Sequence, residues 1–150
     1  MALKADRHEL DTDISYFMNE TASRGVLVSI STAGSGAAMD NASALVTVAA
    51  NGSGAAVLGV LLNDMVDIDQ TRQHVNFHKD EVVKGNKVTI LTKGWVVTDQ
   101  ISGTPTAGQT AYIANSGKFT PSSASGYAAV GRFLSTKDAD GYAKVAVNLP

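Results

Sequence analysis

The chain contains no cysteine, and proline occurs only 3 times in its 150 residues. Without cysteine there can be no disulfide, no thiolate metal site and no cysteine nucleophile. Aromatic residues make up 6% of the chain, and charged residues 17%. No Lys/Arg cluster stands out, and the formal net charge is −2. That composition lacks the basic face with which nucleic-acid binders displace phosphate counterions, and equally the basic patch that anionic lipid attracts. The expectation is therefore no nucleic acid and no membrane as partners. The most apolar window, "AAVLGVLLNDMV", breaks at Asp64 and is too short to span a bilayer. "MALKADRHELDTD" holds no apolar run of the signal-peptide kind, so synthesis in the cytoplasm is expected.

What is present is hydrophobic residue of a particular kind. Apolar residues reach 44%, enough for a folded core, and much of this is Ala and Val rather than Leu. Together with frequent glycine, that mixture suits thin, tightly turned β-structure. From Gly25 onward, short strand-like runs alternate with turn residues. "GVLVSI" is a short apolar strand. "SALVTVAA" alternates, and "AAVLGVLL" is a continuous apolar run suited to a buried strand. "KVTILTKGWVVTD" reads as two strands, 87–92 and 95–98, joined at Lys93-Gly94. "AGQTAYIANSGKFT" reads as a hairpin turning at Asn115-Ser116-Gly117. "YAAVGRFLS" and "YAKVAVNLP" are separated by a turn at Asp140-Gly141. This spacing predicts an all-β fold, a barrel or a sandwich.

Residues 1–24 differ. They are polar, show no period of two, and allow either a short helix capped by Thr12 or Asp13, or an extended arm. The division expected is an N-terminal arm, 1–24, and a β-domain, 25–150, with the arm held by a neighbouring molecule rather than by its own core.

Candidate chemistry is sparse. "GSGAA" occurs at 34–38 and again at 52–56, but neither copy is followed by the Lys-Ser/Thr of a phosphate loop, and both read as turns. Asp64, Asp67 and Asp69 lack the glycine of a calcium loop. His74 and His78 stand four apart without the glutamate of a zinc protease motif. Ser53 has no strained elbow around it. Trp95, a lone tryptophan in an apolar run, reads as core or subunit contact. No catalytic residue, metal or cofactor is expected.

The order of the pieces carries more than any single site. "GVLVSI" after a polar segment, then "KVTILTKGWVVTD", "AGQTAYIANSGKFT" and "AAVGRFLSTKDADGYAKVAVNL", resembles the small head decoration, or cement, proteins of tailed bacteriophages. The resemblance runs from Gly25 to Pro150. It implies a small β-barrel or β-tulip domain, a homotrimer on the outer surface of a capsid, and an N-terminal arm on the major capsid protein. No trimer-contact residue can be carried over. On such an arm Leu10, Ile14, Tyr16 and Phe17 are the expected capsid-binding anchors. Two other classes stand beside this reading. A head-fibre, tail or adhesin module would group Trp95, Tyr112 and Tyr127 on an exposed face for a glycan. A hydrolase would converge Asp67 or Asp69 with His74.

Overall fold

The computed structural model describes residues 2–31, 44–62 and 81–150. Its strands are β1 (His8–Asp13), β2 (Phe17–Met18), β3 (Ala22–Ser23), β4 (Leu27–Ile30), β5 (Leu45–Val48), β6 (Val57–Leu62) and β7 (Glu81–Val82), followed by β8 (Thr89–Thr98), β9 (Thr110–Ile113), β10 (Phe119–Thr120), β11 (Ala129–Phe133) and β12 (Ala143–Asn148). One 3-10 turn, Asn115–Gly117, joins β9 to β10. The fold is all-β. One large sheet runs β10-β9-β11-β12-β8-β6-β4-β5-β2, with β1 added on β8, while β3 and β7 form a separate pair. The sheet is mixed, because β2 joins β5 in parallel.

The ten-residue β8 organises the molecule. Its residues Ile90 and Leu91 pair with both β6 and β1, and its residues 93–95 pair with both β12 and β1. A strand has only two edges, so β6 and β12 share one edge of β8 and β1 occupies the other. The sheet thereby branches, and two hydrophobic clusters fill the space around it. The first gathers Leu3, Leu27, Leu62, Leu91, Val96, Phe119, Phe133 and Val145. The second gathers Tyr16, Met18, Val28, Val46, Leu61, Val82 and Ile90.

This explains the continuous apolar run in β6. Val60 and Leu62 point into the first cluster and Leu61 into the second, so both faces of the strand are dry. Gly59 lets β6 lie close to β8, since a Cβ there would overlap the carbonyl oxygen of Leu91. Around the first cluster the sheet closes on itself in a barrel-like curl. Ser53 bridges to Tyr127, the Gly54 N–H donates to the Gly126 carbonyl at 3.1 Å, and the Gly52 N–H donates to Asn115 Oδ1 at 3.0 Å.

The hairpin expected at 107–120 is present, with Phe119 opposite Ile113 and Ser116 at φ 61° in the turn. The turn at Asp140-Gly141 likewise joins β11 to β12, with the Asp138 carboxylate accepting from the N–H groups of Asp140 and Tyr142.

One expectation for "KVTILTKGWVVTD" needs correction, since it forms a single strand rather than two, and of the two readings of Trp95, core or subunit contact, the core one does not hold. The register explains both. On β8, Asp11 pairs Lys93 but Thr12 pairs Leu91, so Thr92 is an extra residue in that strand. An extra residue flips the alternation of everything after it. Leu91 points into the first cluster, and after the flip Val96 does so, while Trp95 turns to the outer face, half-buried. At Gly94 φ is 142°, and a Cβ would overlap the carbonyl oxygen of His8, so this close approach of β1 requires glycine.

The N-terminal segment is extended along its length, with no helix. Asp13 serves instead as a turn former, its Oδ1 accepting from the Ser15 N–H at 2.7 Å. Ala2 accepts from the N–H of Asp99 and Lys4 donates to Val97, extending the β1–β8 pairing toward the amino end. Residues 16–19 then thread between β5 and the 85–88 turn, with hydrogen bonds to Ala44, Val46, Asn86 and Tyr16–Val88.

Candidate functional site

The four expected anchors divide into two kinds. Leu10 is 68% exposed and Ile14 43% exposed, the first being the most exposed large hydrophobe among the described residues. Leu10 owes this to a bulge. Glu9 pairs Gly94 and Asp11 pairs Lys93, which leaves Leu10 with no partner in β8. Its backbone is extruded and its side chain aimed into solvent. Around it stand charged neighbours. The Arg7 Nε lies 2.6 Å from Glu9 Oε1, and Lys93 Nζ lies 3.7 Å from Asp11 Oδ2. The result is an apolar knob inside a charged rim. Tyr16, in contrast, is buried in the second cluster. Phe17 is half-buried, with Lys87 Nζ 5.2 Å from its ring centroid. These two side chains hold the segment to its own sheet.

A second surface lies beside this ridge, on the outer face of β8, β12 and β11. Directly opposed residues in antiparallel strands share a face. Register therefore sets one row across the sheet, His8–Trp95–Ala146–Arg132–Thr110. The rings of His8 and Trp95 stack at 6.4 Å with an interplanar angle of 24°, and Lys144 Nζ sits 3.5 Å from the Trp95 ring centroid. Lys4 Nζ lies 4.4 Å from the Tyr142 ring centroid. Each exposed cation–π contact of this type contributes about 0.5–1 kcal/mol.

The sequence singled out Trp95 but missed the side chains around it. Alternation in "YAKVAV" and "VGRF" places Tyr142, Lys144 and Arg132 on polar faces. Only the register brings them beside Trp95. The aromatic grouping that a glycan platform requires does not form from Trp95, Tyr112 and Tyr127. Trp95 and Tyr112 stand on strands separated by β12 and β11, and the Tyr127 hydroxyl lies 3.4 Å from Asn115 Oδ1.

The second glycine-rich loop has its backbone donors engaged. The N–H groups of Gly52, Ser53 and Gly54 donate to Asn115 Oδ1, Asn51 Oδ1 and the Gly126 carbonyl. They are turned to the protein, as a structural turn demands, rather than toward a phosphate. The first copy at 34–38, the acids Asp64, Asp67 and Asp69, and His74 and His78 lie outside the described residues. Among the described residues no group of His, Cys, Asp or Glu converges as a metal site. Nor is any helix among the described residues long and apolar enough to cross a membrane.

A family model described as structural cement protein (E217 gp24/Pam3 gp6) matches residues 7–148. The chain belongs to this phage cement family. Its role is structural, as a stabilising component of the virion capsid. No curated protein matches the chain. The match begins at Arg7 and so takes in β1 with Leu10, together with every strand of the sheet.

Proposed function

We propose that this protein binds the outer face of a phage capsid across the joints between major capsid protein subunits, as a homotrimer and without catalysing a reaction. The bulged Leu10 carries the proposal for where contact is made. A leucine left 68% exposed inside a charged rim has the anatomy of an interface anchor, an apolar centre that desolvates on docking with polar groups around it. Ile14, beyond the end of β1, is a second exposed apolar side chain on the same segment. Tyr16 and Phe17 act by fixing the segment that presents these two. Burial of the knob adds roughly 25 cal/mol per Å² of apolar area. Three linked copies on one shell multiply a modest contact by avidity. Because the contact exists only where coat subunits meet, the binding energy stabilises the assembled shell and not its free subunits.

Co-sedimentation of the purified protein with assembled capsids, and separately with free coat subunits, tests this. Saturable binding to capsids and weak binding to subunits is expected. Equal binding to both would reject the joint-spanning role, and absence of binding to capsids would reject the proposal entirely.

A further inference from the structure

Three cations gather at the outer face of β8, β12 and β11, in a chain whose net charge is −2. Lys4, Lys144 and Arg132 stand on it. None of them has a carboxylate partner among the described residues, whereas Lys93 at the border is paired with Asp11. Lys4 and Arg132 are exposed, and Lys144 is held over Trp95. Trp95 lies at the centre with His8 on its ring, so a rigid aromatic is already fixed by its neighbours before any partner arrives.

We propose that this face is a second docking surface, and that its occupant is an acidic surface of the coat protein. The inference rests on the capsid role proposed above and adds a separate contact to it. Three observations select the occupant. The cations are unpaired, so an acidic partner gains attraction without breaking an existing ion pair. The half-buried tryptophan supplies the amphipathic, low-entropy anchor typical of protein contacts. The cations stand beside two aromatics, Trp95 and Tyr142, and do not continue as a track, which is the pattern of a compact protein patch rather than of a phosphate backbone. Docking through Leu10 and through this face uses two separate surfaces. A protein that stabilises a joint needs two such surfaces, one for each side.

The test is the double reversal Lys4→Glu with Arg132→Glu, compared with the conservative pair Lys4→Arg and Arg132→Lys. Capsid affinity is read by co-sedimentation over a range of sodium chloride concentrations, with thermal melting and sedimentation velocity run in parallel. The reversal is expected to weaken capsid binding at least about tenfold at low salt and to flatten its salt dependence. The conservative pair should bind like the wild type, with melting and mass unchanged in both. Unaltered affinity and salt response in the reversed protein would overturn the proposal. A fall in oligomeric mass would overturn it too, by assigning the face to a second copy of the chain. So would wild-type retention on duplex DNA that the reversal abolishes. A wild-type protein that leaves capsids bare would instead defeat the capsid reading itself.

Discussion

β1 and β6 are both six-residue strands, and both run antiparallel to β8. They even share partners, since Ile90 and Leu91 pair with Leu61 and Val60 on one edge and with Asp13 and Thr12 on the other. Yet β6 is dry on both faces from Gly59 to Leu62, while β1 is exposed from His8 to Thr12. The same backbone pairing therefore serves two purposes. On the β6 edge it joins two hydrophobic clusters into one body. On the β1 edge it holds a charged, bulged strand with Leu10 outward, and the charges and bulges that keep such an edge from pairing indiscriminately leave side-chain contact as its mode of recognition.

The comparison is broken most severely by removing residues 2–20. This takes Leu3 out of the first cluster, and Tyr16 and Met18 out of the second. The truncated chain is expected to lose its cooperative unfolding transition in a denaturant titration. A sharp transition near that of the full chain would show that the segment contributes nothing to the body. Next in size is Leu61→Ala, within β6. Leu61 has no exposed surface, and the change should cost about 2–5 kcal/mol by urea denaturation. A third variant, Gly94→Ala, acts on the β1 edge alone, where it sets a methyl group against the carbonyl of His8. A loss of about 1–3 kcal/mol is expected, with faster amide exchange concentrated in residues 8–13. Uniform exchange across the sheet would show that β1 and β6 are not separable.

Trp95→Ala sharpens the contrast further. A tryptophan in a core would cost about 3–5 kcal/mol on truncation. Here the side chain is half-buried between His8 and Lys144, and a loss of about 1 kcal/mol is expected. A core-sized loss measured by denaturation would contradict its placement on the outer face.

The β-hairpins were legible because their chemistry is local. Asn115-Ser116-Gly117 and Asp140-Gly141 specify turns within a few residues, and "AAVLGVLL" announces a strand buried on both sides. The fate of Trp95 was not legible. It depends on one extra residue at Thr92, and a bulge leaves no mark on apolar content. β1 hid for a related reason. A strand exposed on its side chains and interrupted at Leu10 and opposite Thr92 shows no alternation, so it reads as a polar arm. Leu10 and Ile14 could be noticed in the sequence as apolar residues in a polar stretch, but Tyr16, two positions on, looks the same there and lies buried. The row His8–Trp95–Ala146–Arg132 is assembled from β1, β8 and the β11–β12 hairpin, three stretches far apart in the chain, and only their register reveals it.

The central claim is that β1 is built for contact rather than for stability, and Leu10→Asp tests it most directly. Co-sedimentation with intact capsids and thermal melting are measured on the same preparation. The exposed side chain has no partner to lose, so stability should change by no more than about 0.5 kcal/mol. Capsid binding should fall at least about tenfold, as an apolar anchor is replaced by a charge that must be desolvated. Full capsid occupancy by Leu10→Asp at wild-type concentrations, with melting unchanged, would contradict the account.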